Sequence, residues 1–335
     1  MKIILRYVLI SLLVVLLGGC NQNRKVLKVG AAIALTGFGA DFGESERNAI
    51  SLLKDKFGED SVMFYIENTS SNVRQGIDAI KKLINVHDVD IIYCELSSIV
   101  NAANGFVESN QKILIAPVYL DDLLKNPYAL RNLPSANQEN EELVTFLSSE
   151  NINYDNVAIL YSNDVFGQTC KSSFETKVND KKICCSLPID DNNLNAVAIK
   201  VMTYKPDLIY IGSMSETLGL LIKYLKQNGF KGEILTTDAF SYDYINSLAG
   251  EYAKGVIYID FKESEKYSQF REIYQKSFGK RCVPSAMLCY DGLSIVIDAV
   301  MKGKGLEGAI YEGLIDSLYI KKQEIIYPIK AVRWE

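Results

Sequence analysis

Two continuous apolar segments constrain the fold of this chain more than any other sequence feature. Asp90–Tyr93 and Asp207–Gly212 each enter an apolar run without the alternation of polar and apolar residues that marks a half-exposed strand. Such runs are typical of strands buried on both faces, as in parallel sheets that are covered by helices on either side. The sequence therefore predicts an α/β architecture.

Further strand-like and helix-like segments alternate along most of the chain. The predicted strands are Val26–Leu35, Ser61–Glu67, Val89–Glu95, Ile113–Pro117, Val157–Ser162, Lys182–Leu187, Leu208–Gly212, Glu233–Thr237 and Gly255–Phe261. Amphipathic segments with helical spacing include Glu46–Phe57, Val73–Val86, Glu141–Glu150, Leu218–Gln227, Lys266–Phe278 and Ala286–Met301. A polar break at Arg131–Asn140 separates two similar units, which predicts two doubly wound, Rossmann-like lobes.

The amino terminus has the pattern of an export signal. Lys2 and Arg6 precede an apolar run, Tyr7–Leu17, that is too short to cross a bilayer. The run ends in Leu17-Gly18-Gly19-Cys20, which resembles a bacterial lipobox. We interpret residues 1–19 as a signal peptide and residues 20–25 as a lipidated tether beginning at Cys20. The resemblance implies an extracytoplasmic protein anchored to a membrane by lipid.

Charge and residue counts argue against several functional classes. Lys and Arg total 36 against 41 Asp and Glu, and no basic run occurs, so nucleic-acid binding is not expected. His87 is the single histidine and falls in a predicted surface loop, which leaves little basis for a histidine metal site or a serine–histidine mechanism. The sequence also lacks a phosphate-binding loop and a nucleophile elbow. We expect neither enzymatic activity nor a metal or cofactor.

A glycine-rich segment after the first strand is the nearest approach to a nucleotide motif. Gly37-Phe38-Gly39-Ala40-Asp41-Phe42-Gly43 is one residue too long for the dinucleotide fingerprint. Phe38, Asp41 and Phe42 would crowd or repel a phosphate. We interpret the segment as a loop that follows the first strand and not as a nucleotide site.

Six cysteines follow Cys20, and the sequence does not determine their state. They are Cys94, Cys170, Cys184, Cys185, Cys282 and Cys289. An extracytoplasmic location permits disulfides, and Cys282 with Cys289 is the most plausible local pair. Buried free thiols are an equally good interpretation for Cys94, Cys184 and Cys185.

The ends of the predicted strands define a candidate ligand site, because open α/β sheets bind ligands beyond their carboxyl edges. The residues that we expect there are Phe42, Leu96, Ser97, Val118, Tyr119, Leu120, Phe166, Met214 and Asp238. Most are apolar or aromatic, with a few hydroxyls and one carboxylate, as in many small-molecule sites.

The order of several segments resembles type I periplasmic binding proteins of the leucine/isoleucine/valine-binding family. The segments include Ala32–Gly37 with Phe42-Gly43, Asp90–Tyr93 leading to Ser97-Ser98, Val157–Tyr161 leading to Phe166-Gly167, and Gly250–Val256. The resemblance covers about residues 26–300. It implies two lobes joined by three crossings that close on a ligand. We place the first lobe at residues 26–137 and about 261–316, and the second at residues 138–260 and about 317–335.

The same resemblance suggests roles for individual residues. Ser97 falls where the family contacts a ligand carboxylate, and Asp238 falls where an acid pairs with a ligand ammonium. Phe42, Phe166 and Met214 replace tyrosines that are common in the family. Leu120 stands where amino-acid binders usually offer a threonine hydroxyl, which argues against a standard α-amino acid ligand.

The function that these features favour is capture of a small, partly apolar or amino-acid-like molecule for an ABC permease. We expect a monomer. A ligand-sensing lipoprotein that signals through a membrane receptor is the main alternative, and an extracytoplasmic enzyme is a weaker one. A neighbouring permease gene would favour the importer, and turnover of a substrate would favour the enzyme.

Overall fold

The computed structural model describes residues 26–178 and 181–335. The predicted signal peptide, the tether and the predicted lipidation site Cys20 lie outside the described residues.

Fourteen strands and a set of helices make up the described chain. The strands are β1 (Leu27–Ile33), β2 (Val62–Asn68), β3 (Ile91–Cys94), β4 (Ile113–Ala116), β5 (Ala129–Arg131), β6 (Asn156–Ser162), β7 (Lys182–Ile189), β8 (Leu208–Gly212), β9 (Glu233–Thr236), β10 (Ile257–Phe261), β11 (Ile310–Glu312), β12 (Ser317–Lys321), β13 (Glu324–Ile326) and β14 (Ile329–Arg333). The α-helices are α1 (Ala40–Phe57), α2 (Val73–Asn85), α3 (Ser97–Ser109), α4 (Ala136–Ser149), α5 (Val165–Lys177), α6 (Leu194–Met202), α7 (Glu216–Gln227), α8 (Asp243–Ala249), α9 (Glu265–Phe278) and α10 (Pro284–Met301). The alternation confirms the predicted α/β class.

The strands form two sheets, each the centre of one lobe. The first sheet has the order β11-β12-β13-β5-β4-β3-β1-β2, and the second has the order β14-β10-β9-β8-β6-β7. In the first sheet β1 lies between β2 and β3, and in the second sheet β6 lies between β7 and β8, with parallel pairing in every case. In each sheet the order of the strands therefore reverses at the first strand, which is β1 in one sheet and β6 in the other. A crevice for ligands opens at such points.

Short loops connect these two strands to the helices that follow. The side chain of Asp164 caps α5 by accepting a hydrogen bond from the Gly167 amide at 2.8 Å. Gly43 and Gly167 bring each helix close to its strand. A Cβ atom would lie 2.1 Å from the Ala34 carbonyl oxygen at Gly43, and 2.1 Å from the Ser162 carbonyl oxygen at Gly167. Glycine therefore permits both tight junctions.

The chain crosses between the lobes after β5, after β10 and after β13. The expectation that residues 317–335 belong to the second lobe is wrong for the segment up to Ile326. β12 pairs with β11 and β13 in the first sheet, and only β14 joins the second sheet, antiparallel to β10. The physical reason is the alternation along β12, which buries Leu318 and Ile320 in the core of the first lobe.

Helix α10 is long and apolar enough to cross a membrane by length and composition alone. Most of its residues are buried inside the fold, where it packs against α1. A helix that is apolar on all sides is also what a core position requires. We therefore interpret α10 as the central core helix of the first lobe.

All six cysteines within the described residues are free. Cys282 and Cys289, the most plausible local pair in the sequence, are therefore not joined. Cys282 lies in the turn before α10, and its thiol is directed to the Val283 carbonyl oxygen. Cys289 lies within α10, and its thiol is directed across to the Glu46 carbonyl oxygen of α1. The two thiols thus have different neighbours, and both behave as small buried side chains.

Candidate functional site

The carboxyl ends of the parallel strands of both lobes meet around one small cavity. Its volume is about 50 Å³, whereas ligand sites usually measure about 300–1,000 Å³. The lining residues are Phe42, Glu46, Glu95, Leu96, Ser97, Pro117, Leu133, Phe166, Met214, Asp238, Ala239, Tyr242, Ser285 and Leu288. Because both lobes contribute to this lining and the space is narrow, the two lobes are closed on each other.

Aromatic side chains form the contact between the lobes. Phe42 of the first lobe meets Tyr242 of the second edge to face, with ring centroids 4.7 Å apart. Tyr119 of the first lobe stacks on Phe166 of the second, also at 4.7 Å. Such pairs are worth about 0.5–1.5 kcal/mol beyond the apolar area that they bury. These aromatic contacts between the lobes therefore stabilise closure.

One pair of buried carboxyl groups belongs to the second lobe. Asp238 follows β9, and its Oδ1 accepts a hydrogen bond of 2.8 Å from the Tyr119 hydroxyl across the lobe boundary. The Asp238 amide donates to Glu139 Oε2 of α4 at 3.4 Å. Burial raises the pKa of Asp238 to about 6. Burial and the nearby charge of Asp238 raise the pKa of Glu139 well above its usual range.

A second pair of buried carboxyl groups belongs to the first lobe. Glu46 of α1 accepts a hydrogen bond of 2.8 Å from the Tyr93 hydroxyl at Oε1. Its carboxyl group also forms a side-chain hydrogen bond with the carboxyl group of Glu95. Glu95 follows β3 and accepts a hydrogen bond from the Ala34 amide. Burial raises the pKa of Glu95 to about 7. Burial and the charge of Glu95 raise the pKa of Glu46 well above its usual range.

The amino end of α3 also reaches the cavity. The helix begins at Ser97, which lines the space together with Leu96. Leu96 has a φ of 67°, a left-handed conformation that costs a leucine about 1–3 kcal/mol. Strain of this kind is often found at ligand sites. It holds the Leu96 side chain against the cavity and turns the chain directly into the helix.

The structure brings together most of the residues that the sequence proposed for the site. Six of the nine line the cavity, namely Phe42, Leu96, Ser97, Phe166, Met214 and Asp238. Tyr119 lies one layer behind the lining, where it contacts both Phe166 and Asp238. Whether these residues bind a ligand stays a prediction.

Val118 and Leu120 do not line this cavity. Val118 is buried in the core of the first lobe. Leu120 faces a separate open groove of about 1,000 Å³, beside Arg131 and Asp164. The reason is that β4 ends at Ala116 and Pro117 itself occupies the cavity wall. The following residues have already turned away from the strand end.

The sequence reasoning missed Glu46, Glu95 and Tyr242. A signal for Glu46 was available, because it lies four residues from both Phe42 and Ile50 and so shares the buried face of α1. Glu95 extends the apolar β3 by one residue, which makes it a carboxyl group at a strand end. Tyr242 follows a 3₁₀ turn, Asp238–Ser241, whose course the sequence pattern did not define.

Comparison with known proteins identifies the family that shares this fold. The model of the family described as "Periplasmic binding protein" matches residues 26–310. A curated relative, Leu/Ile/Val-binding protein homolog 2 of Brucella abortus, is 18% identical over 243 residues, which are 69% of this chain and 66% of that protein. The match thus spans slightly less than two thirds of the relative.

Solved structures share the fold over nearly the whole chain. A leucine binding protein of Thermotoga maritima superposes with a TM-score of 0.81 at 18% identity, covering 92% of this chain and 96% of that one. A solute binding protein of an ABC transporter from Rhodopseudomonas palustris, in complex with 3,4-dihydroxy benzoic acid, gives a TM-score of 0.82 at 20% identity, covering 92% and 93%. These similarities confirm the two-lobed architecture.

Proposed function

The chain belongs to the periplasmic binding protein family, and from this premise we propose that it captures a small molecule between its two lobes outside the cytoplasm. The observation that carries the proposal is the cavity itself, because its walls come from the strand ends of both lobes. A molecule held there contacts both lobes only when they are closed. Its binding free energy therefore favours the closed form.

Ligand entry requires the lobes to separate. The closed cavity is smaller than an amino acid or an aromatic acid needs. The Tyr119–Phe166 and Phe42–Tyr242 contacts also join the two lobes beside it. The three crossings between the sheets supply a hinge about which the lobes can move. A bound molecule would replace part of these aromatic contacts with its own apolar surface.

Anchoring and delivery complete the proposal. The lipobox-like Leu17–Cys20 segment supports attachment of the protein to a membrane through Cys20. Two relatives, a leucine binding protein and a solute binding protein of an ABC transporter, support delivery of the captured molecule to an importer. We propose that the protein acts as a monomeric binding protein and not as an enzyme.

A thermal-shift screen of the full chain in mild detergent against small metabolites tests the binding function. A molecule present at 100 times its Kd stabilises the folded chain by about 2.7 kcal/mol. Phe166→Ala should remove most of the shift, because Phe166 lines the cavity. The matched control is Phe106→Ala, at a partly buried position on α3 that does not line the cavity. A hit whose shift survives Phe166→Ala unchanged would argue against this cavity.

A Cys20→Ser variant tests the anchor. Loss of the acceptor thiol should abolish fatty-acid labelling and release the chain from the membrane fraction or leave its signal peptide uncleaved. Labelling at the level of the parent chain would contradict lipidation at Cys20.

A further inference from the structure

The charge of the cavity determines which class of molecule can occupy it. Three of its lining side chains are acids, Glu46, Glu95 and Asp238, and none of the lining residues is basic. Glu139 adds a fourth carboxyl group directly behind Asp238. A ligand that brought a carboxylate into this space would find no cationic side chain among the lining residues to pair with it.

The acidic groups are also incompletely bonded. Glu46 is 1% exposed, and no N–H or hydroxyl group among the described residues donates to its buried Oε2. The one bond to its other oxygen comes from Tyr93, which is neutral. A buried carboxylate is stable only when a cation or a proton compensates it. A proton shared with the neighbouring Glu95 carboxyl compensates Glu46. The pair then still carries one negative charge that an entering ammonium group can offset.

The two carboxyl pairs lie in different lobes, with apolar surface in the space that they share. Glu46 and Glu95 belong to the first lobe, and Asp238 with Glu139 belongs to the second. Phe42, Phe166 and Met214 line the same cavity. Aromatic faces attract organic cations as well as methylene groups. By contrast, no group of three or more His, Cys, Asp and Glu side chains within residues 26–178 and 181–335 is arranged to hold a metal ion.

From these observations we infer that the cavity selects a small organic dication, with one ammonium group for the carboxyl pair of each lobe and an apolar segment between them. The inference rests on the proposed capture of a small molecule and names the chemical class of that molecule. It also gives closure a specific cause. Only the closed form brings both carboxyl pairs to one ligand, so the second ammonium group binds when the lobes meet.

Calorimetry on the full chain in mild detergent at pH 7.5 tests the inference with four probes. These are 1,4-diaminobutane, 1-aminobutane, leucine and 3,4-dihydroxybenzoate. We expect the diamine to bind at least 10-fold more tightly than the monoamine, since it makes a second charge-assisted bond. Leucine and 3,4-dihydroxybenzoate should give no heat of binding.

Glu46→Gln and Asp238→Asn locate the two ends of the ligand. Each should weaken binding of the diamine at least 10-fold, because each removes one charge-assisted partner while conserving the shape of the side chain. Glu44→Gln is the matched control, since Glu44 lies on the same helix but pairs with Lys280 outside the cavity. Its affinity for the diamine should stay within 2-fold of the parent chain. Thermal unfolding of each variant verifies that it is folded.

The outcomes separate the two proposals. Tight binding of leucine or 3,4-dihydroxybenzoate without binding of the diamine overturns the dication and leaves the capture function in place. Equal affinity for the monoamine and the diamine would show that only one ammonium group is recognised, which overturns the dication proposal. If none of the four probes binds and the metabolite screen also yields no ligand for the folded chain, both proposals fail.

Discussion

The two lobes have similar backbone folds but place different side chains at the cavity. In each lobe the first strand of the parallel sheet leads to a phenylalanine and a glycine, Phe42-Gly43 in one and Phe166-Gly167 in the other. Three residues after the glycine the first lobe has Glu46 where the second has Cys170. A shared plan therefore does not imply shared site chemistry.

The strand next to that first strand shows the same difference. Glu95 directly follows β3 in the first lobe, and Ser213 directly follows β8 in the second. The second lobe instead places Asp238 one strand further along, after β9, and supports it with Glu139 from α4. Each lobe thus presents a carboxyl pair to the cavity, but from different elements. Backbone similarity locates the site, while the acids must be found one by one.

The largest expected effect is a loss of stability at the two strand–helix junctions that the lobes have in common. Gly43→Ala and Gly167→Ala should each lower the free energy of unfolding by about 3 kcal/mol, because the added methyl group meets a backbone carbonyl that cannot move aside. At Gly105, in the middle of α3, the added carbon would have no heavy atom within 4 Å. Gly105→Ala should therefore raise the free energy of unfolding by about 0.5–1 kcal/mol. Urea denaturation followed by circular dichroism measures all three. Tolerance of alanine at one junction alone would show that the two lobes are not built alike.

The next prediction concerns how stability depends on pH, and it tests the acidic pair of the first lobe, Glu46 and Glu95. The pKa of Glu95 is raised to about 7 by burial, so the folded chain keeps a proton that the unfolded chain releases near pH 4.5. The free energy of unfolding should therefore fall as the pH rises through this window, by about 3 kcal/mol for this group. Glu46 titrates beside it, whereas Tyr93, Cys94 and Cys289 stay neutral there.

Glu95→Gln should flatten this dependence, and Glu46→Gln should do so in the same direction. Thermal unfolding of the ligand-free chain between pH 5 and pH 8 measures the slope. Ser213→Ala, at the corresponding position of the second lobe, should leave the slope unchanged because its hydroxyl does not titrate. A slope that is the same in the parent chain and in Glu95→Gln would show that the pKa of Glu95 is not raised.

The smallest expected effect comes from removing single hydrogen bonds, and it distinguishes a hydrogen bond between the lobes from one within a lobe. Tyr119→Phe and Tyr93→Phe each remove a 2.8 Å hydrogen bond from a tyrosine to a buried carboxyl group. Each should cost about 1 kcal/mol. Only Tyr119→Phe removes a contact across the lobe boundary, so only this variant should increase the radius of gyration in solution scattering. An equal increase for Tyr93→Phe would mean that Tyr119 has no special part in closure.

The fold could be predicted where burial dictates composition. β8, Leu208–Gly212, agrees with the sequence prediction at both ends, because a strand covered on both faces must be apolar throughout. β11 to β14 were missed because none of them is buried throughout, so none forms a continuous apolar run in the sequence. The turn between β12 and β13 uses Lys322 and Gln323 at φ values of 51° and 61°. Neither is a residue type that signals such a turn.

The site could be predicted only to the level of strand ends. That rule found Phe42, Phe166 and Asp238, since the carboxyl ends of parallel strands meet at one edge. It failed at Leu120, because the direction of the chain after Pro117 depends on how the following 3₁₀ turn, Asp121–Lys125, packs. It also missed Glu46, which lies inside a helix and not at a strand end. The available signal for Glu46 was its helical spacing from Phe42 and Ile50, which a rule based on strand ends does not use.

The free cysteines give this protein a set of built-in reporters. Cys94 and Cys289 lie beside the acidic pair of the first lobe, and Cys170 lies beside that of the second. Each is completely buried, and burial raises the pKa of each thiol well above its usual range. A thiol reagent can therefore modify them only during transient exposure. The modification rate of Cys94 and Cys289 therefore measures how often the first lobe opens, and that of Cys170 measures how often the second lobe opens. Neither measurement requires an introduced label.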